Sequence, residues 1–137
     1  MKSGSVLNIL GSNYVATCEE ALRTLMNDVP SITAAVVATA DGFEVASAQA
    51  EGRMSATRLS ALASSLLALG QAALRELSMN GSGSVLIENA MGKIMLVDVR
   101  REHLPVVLCV VADEMAMTGK VLWAAKQCAT TLESSSS

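Results

Sequence analysis

MSATRLSALASSLLALGQAALRELSM, residues 54–79, is the stretch whose reading decides the fold. At about 100° per residue, Leu59, Leu62, Leu66, Leu69, Ala73 and Leu77 fall on one stripe, the signature of an amphipathic helix. Ala56, Ala63, Leu67, Gly70 and Leu74 form a second stripe beside it, so the apolar arc is wider than one sheet face needs. The remaining arc carries Ser60, Ala61, Ser64, Ser65, Ala68, Gln71 and Ala72, with charge only toward the end at Arg75 and Glu76. A solvated helix back usually bears long charged side chains. This one is small and nearly neutral, open to close approach by another backbone. The stretch therefore reads as a helix with its own sheet on one side and a partner protein on the other.

Outward from that helix, the chain alternates short elements. Upstream, Val15, Cys18, Leu22, Leu25, Met26 and Val29 keep helical spacing, with Ser12 or Asn13 as the expected N-cap and Pro30 as the stop. Ile32 to Ala40 is β-branched and apolar on both faces, an interior strand. Asp41-Gly42 predicts a two-residue hairpin turn, and Phe43 to Gln49 returns. Downstream, Asn80-Gly81 predicts a left-handed helix end. Ser84 to Glu88 and Lys93 to Arg100 form two further strands around Asn89–Gly92, the second with one face partly open. Pro105 can only open a strand, and VVLCVVA, Val106 to Ala112, is apolar on both faces and is expected at the centre of the sheet. Asp113 is the expected cap of a last helix buried through Leu122, Ala125, Ala129 and Leu132. The order is αββαβββα, an α+β domain around an antiparallel sheet. Residues 1–12 read as a flexible arm in which Val6, Leu7, Ile9 and Leu10 have docking potential, 13–132 as the domain, and 133–137 as a disordered serine tail.

The totals narrow the function classes. A chain of 137 residues makes one domain able to bury roughly 70% of its unfolded surface. It is 51% hydrophobic with a net charge of −3, and its ten Lys and Arg are scattered, which argues against a nucleic-acid surface. Three aromatic residues, Tyr14, Phe43 and Trp123, offer no platform for stacking bases or flat cofactors. Cys18, Cys109 and Cys128 lack metal-type spacing and read as buried thiols of a reduced, cytoplasmic chain. No apolar run is long enough for membrane insertion. The opening up to Cys18 loosely suggests a lipoprotein signal, but its apolar part is only VLNIL.

Catalytic constellations are missing from the pattern. Gly119-Lys120-Val121 lacks the third residue and the upstream glycine of a phosphate loop, and Gly81–Ser84 leads from helix into strand, the wrong direction for one. His103 is a lone loop histidine. Asp41 and Asp98 are explained by a turn and by an open strand face, the methionines by scattered core filling, and Arg100 and Arg101 by a solvated turn. No catalytic residue, metal ligand or cofactor site is expected.

The hairpin VVATADGFEVA, residues 36–46, followed by a helix entered through LSALASSL, residues 59–66, resembles the roadblock family: roadblock-type dynein light chains and bacterial relatives that regulate small Ras-like GTPases. The similarity runs over about residues 13–132. It implies a profilin-like fold with the long helix on one face of a five-stranded sheet and the terminal helices on the other. It also implies a homodimer joined through the third strand and the long helices. On this chain those positions are Val85, Leu86, Ile87 and Glu88, with the small-residue stripe Ala56, Ala63, Leu67, Gly70 and Leu74. The remaining helix surface, Arg58, Ser60, Ala61, Ser64, Ser65, Ala68, Gln71 and Arg75, is the expected GTPase-binding surface. The resulting expectation is a non-enzymatic dimeric adaptor for a small Ras-like GTPase. A small-ligand sensor and a structural subunit of a larger scaffold are the alternatives.

Overall fold

The computed structural model describes residues 11–52 and 54–135. Its elements run α1 (Ser12–Asp28), β1 (Ile32–Thr39), β2 (Glu44–Gln49), α2 (Ala56–Glu76), β3 (Ser84–Asn89), β4 (Gly92–Val99), β5 (Val106–Asp113) and α3 (Thr118–Ser134). All strand pairs are antiparallel, and the sheet order is β2-β1-β5-β4-β3. β5 thus holds the centre, as its two apolar faces require, and β2 and β3 are the edges.

Strand alternation divides the interior into two layers. On one side Ala35, Val37, Met95, Val97, Leu108 and Val110 meet Cys18, Leu22 and Leu25 of α1 and Val121, Ala125, Cys128 and Leu132 of α3. On the other side Val36, Leu96, Val107 and Cys109 meet Ala63 and Leu67 of α2. The first layer is the larger because two helices share it. The open face expected for β4 is largely closed, since Leu96 is fully buried under α2.

Several local expectations are corrected. The first hairpin has a three-residue loop, Ala40–Gly42, closed by Thr39 N–H donating to Phe43 O at 2.8 Å. Only Gly42 takes a positive φ, 98°, and Asp41 instead accepts from Thr39 Oγ1 at 2.6 Å. The Thr39 hydroxyl also accepts from Phe43 N–H at 3.0 Å, and this side-chain pair favours the wider turn. α1 begins on Gly11, with no side-chain cap. α2 begins on Ser55, whose hydroxyl accepts from Arg58 N–H at 3.2 Å. It ends before Asn80-Gly81: Met79 N–H donates to Leu74 O, Ser78 N–H donates to Arg75 O, and Ser78 takes the left-handed φ of 59°. That paired closure satisfies two end carbonyls, which offsets the strain of a non-glycine residue there. Asp113 ends β5 and accepts from Met115 N–H, while α3 starts after Met117. α3 also takes in Glu133 and Ser134 of the expected tail, and residues 1–10, most of the expected arm, lie outside the described residues.

Candidate protein-interaction surface

α2 crosses one face of the sheet and offers its other side outward. The direction in which it is rotated sets the candidate surface. Leu67 is 3% exposed and Ala63 1% exposed, and both pack on Val36, Leu96, Val107 and Cys109. Gly70 lies against Val85, so that an added Cβ would sit 2.5 Å from Val85 Cγ2, and Leu74 reaches Gly83 in the same way. The small-residue stripe assigned to the dimer interface is therefore the seam between α2 and its own sheet. Ala63 and Leu67 have nothing left to offer a partner; Ala56, Gly70 and Leu74 are half-buried along the same seam. Small residues let the helix settle close enough for a tight interior.

Two of the expected partner-binding residues are corrected for the same reason. Ser60 is fully buried, and Ser64 is buried with its Oγ 2.8 Å from Thr39 O and 3.0 Å from Ser60 O, tying α2 to the end of β1. Gln71 is half-buried. Arg58, Ala61, Ser65, Ala68 and Arg75 are exposed.

The leucine stripe that periodicity would give to the core points outward instead. Leu62, Leu69 and Leu77 are 58%, 68% and 70% exposed, large values for such side chains. Leu59 and Leu66 form the margin of this stripe, packed on the same cluster as Val85 of β3 and Ile94 of β4. β3 extends the surface. Leu86 and Ile87 are exposed, and one edge of the strand pairs with β4 while the other pairs with nothing among the described strands. Val85, Leu86, Ile87 and Glu88 thus stand where an edge can accept another strand. An apolar helix flank beside an open sheet edge has the character of a surface that other proteins can dock on.

The remaining chemistry is quiet. Burial pushes the thiol of Cys18 up to about 11 and those of Cys109 and Cys128 up to about 12, so none supplies a thiolate near neutral pH. Burial likewise raises the Tyr14 phenol. Arg101 does more than the solvated-turn reading allows: its guanidinium lies 3.6 Å over the Tyr14 ring and donates to His103 O and Leu104 O, clamping the β4–β5 loop to α1. Among the described residues no cluster of His, Cys, Asp or Glu could hold a metal ion, and no helix is long and apolar enough to cross a membrane.

A family model for the Roadblock/LC7 domain matches residues 19–112. The chain belongs to the Roadblock/LC7 family. No curated protein sequence matches it. Among solved structures, an MglB in a tetrameric arrangement superposes with a TM-score of 0.80 at 20% identity, covering 91% of this chain and 91% of that one. The gliding protein MglB of Thermus thermophilus gives 0.79 at 19% identity, covering 91% and 92%. Profilin II of Acanthamoeba castellanii gives 0.51 at 15%, covering 83% and 94%. At these identities the likeness is one of fold, and it makes this Roadblock/LC7 chain profilin-like in architecture. The outward rotation of Leu62, Leu69 and Leu77 was hidden from sequence, although Gly70, a glycine inside a helix pattern, signalled a close approach on the small-residue side.

Proposed function

We propose that this Roadblock/LC7 chain is a non-enzymatic, dimeric, cytoplasmic adaptor that binds a small Ras-like GTPase and modulates its nucleotide state or location. One observation carries the reading: the exposed Leu62, Leu69 and Leu77 stripe on α2, adjoining the open edge of β3. Two copies joined through β3, with Val85 to Glu88 paired across the join, would extend the sheet and bring two α2 helices side by side. Burying three such leucines from each copy contributes several kcal/mol, at about 1.5–3 kcal/mol for each fully buried side chain. Arg58, Ala61, Ser65, Ala68 and Arg75, exposed along the rest of α2, then form the composite face on which the GTPase sits. That face is small and weakly charged, suited to close docking near mobile switch segments. Neither Arg58 nor Arg75 is assigned as a catalytic arginine. The family resemblance supports the choice of a GTPase as partner.

Affinity capture on the purified chain, run in parallel with GDP and with a non-hydrolysable GTP analogue, tests the partner. A small GTPase retained mainly in one nucleotide state is the expected result. Recovery of other roadblock-like chains with no GTPase in either arm overturns it in favour of a scaffold subunit.

A further inference from the structure

The face opposite α2 holds a second feature that the interaction surface does not use. α1 and α3 lie side by side there and run in opposite directions, held by Tyr14 Oη donating to Leu132 O at 3.4 Å and Cys128 Sγ donating to Ala21 O at 4.0 Å. Between them runs a groove of about 670 Å³, the size of a ligand pocket. Its floor is apolar: Ala21, Leu25, Val29, Ala124 and Cys128. The two alanines face the trough where larger side chains would have filled it. Trp123, the only tryptophan of the chain, stands on its rim with 66% of its surface exposed, an unusual state for so large an apolar residue. From Ala16 to Asp28 the α1 wall is about 18 Å long at 1.5 Å per residue, which leaves a mean cross-section of about 37 Å².

That section excludes the bulkier occupants. An α-helix, about 10–12 Å across with its side chains, is too thick to sink into the groove. An extended peptide would press N–H and C=O groups onto the apolar floor without partners, which is costly. A hydrocarbon chain is slender and needs no polar partner. With C–C bonds of about 1.5 Å, a zigzag of roughly 12–14 carbons spans the groove. We propose that the groove seats one unbranched alkyl or acyl chain bearing a zwitterionic head, a single-chain amphiphile taken up from solution. The head follows from the charges at one mouth. Asp28 is the last residue of α1 and Lys120 lies in the first turn of α3, so the opposed helices bring both exposed side chains to the same end of the groove. α1 ends negative and α3 begins positive, so each side chain reinforces the sign of its own helix end. One wall of the mouth is therefore negative and the other positive. A cationic group beside Asp28 and an anionic group beside Lys120 complement both walls, whereas a head of one sign is repelled by one of them. Glu20, farther along the α1 wall, is already paired with Arg23. Trp123, one turn from Lys120, then covers the first carbons of the chain.

Trp123 reports the seat without any label. Its emission is titrated in the full chain with dodecylphosphocholine, kept below the concentration at which micelles form, and then with octylphosphocholine, dodecyl sulfate and dodecyltrimethylammonium. The expected result is a saturable blue shift with one dodecylphosphocholine per chain, and weaker binding of both single-sign heads. Each buried methylene is worth up to about fourfold in affinity, so the octyl compound binds at least about tenfold more weakly. Ala21→Leu, which fills the floor, abolishes the shift. Asp28→Asn, an exposed change that leaves the fold alone, weakens dodecylphosphocholine about threefold without weakening dodecyl sulfate. Far-UV circular dichroism confirms equal helix content in both variants. No saturable shift overturns the proposal, as does equal binding of all three dodecyl heads or binding that persists in a folded Ala21→Leu chain. Trp123 already shielded without amphiphile and exposed on dilution also overturns it, and makes a second copy the occupant. Because the readout sits on α1 and α3, it is independent of whether α2 and β3 bind a GTPase.

Discussion

Gly70→Ala separates two opposed effects and thereby tests how α2 is seated. In a helix interior alanine is favoured over glycine by about 1 kcal/mol, because glycine gives up more backbone freedom on folding. At this position the new Cβ would sit 2.5 Å from Val85 Cγ2, closer than real Cβ contacts come. Val85 is β-branched and restricted about χ1, and it is half-buried under α2, so either the helix lifts or Val85 leaves its rotamer. Such overpacking costs about 1–3 kcal/mol. The net expectation is a loss of about 1 kcal/mol. In a Val85→Ala background the obstructing methyl is gone, and the same Gly70→Ala change gains about 1 kcal/mol, a coupling of about 2 kcal/mol. Urea unfolding of the four proteins, at one fixed protein concentration to hold self-association constant, reads both numbers. If Gly70→Ala stabilises the parent chain and the two changes add within about 0.5 kcal/mol, α2 does not rest on β3 at this point.

Leu67→Ala is expected to cost about 3 kcal/mol in unfolding free energy, as a core truncation against the central strands, whereas Leu69→Ala, two residues on, shifts the stability of the isolated chain by less than about 0.5 kcal/mol. Equal effects in chemical denaturation would refute the rotation assigned to α2. The buried thiols predict alkaline lability. Their folded values, about 11 for Cys18 and about 12 for Cys109 and Cys128, lie above the ordinary thiol value of 9.0, so above that value the unfolded chain binds fewer protons than the folded one. Stability is then level with respect to these groups below about pH 9 and falls toward pH 11, each thiol contributing up to about 1.4 kcal/mol per pH unit. Urea midpoints unchanged from about pH 8 to about pH 10.5 would contradict that burial.

The sequence makes the architecture legible wherever one residue pattern has one physical solution. VVLCVVA is apolar on both faces, and only a strand covered on both sides satisfies it, which is where β5 lies. The hairpin at Asp41-Gly42 is legible in place but not in loop length, since the Thr39 hydroxyl and the Asp41 carboxylate pair across the turn and stabilise the wider form. The existence of α2 is equally plain, and its rotation is not. A stripe of leucines facing another molecule has the same period as a stripe facing the core. The outcome depends on what the sheet offers beneath, and there Ala63, Ser60, Ser64 and Gly70 allow a close approach that leucines would prevent. The exposed flank is therefore read from the packing of the small residues, and the candidate site follows from it.

Sedimentation velocity tests most directly whether the outward leucines of α2 form a contact between copies. The parent chain is compared with Leu62→Asp/Leu69→Asp, in which both altered side chains are exposed and the fold is expected to persist by circular dichroism. The predicted result is a parent at the mass of a dimer or a multiple of it, and a folded variant at the mass of one chain. A parent that sediments as a single chain at micromolar concentration, or a variant that keeps the parent's mass, would contradict it.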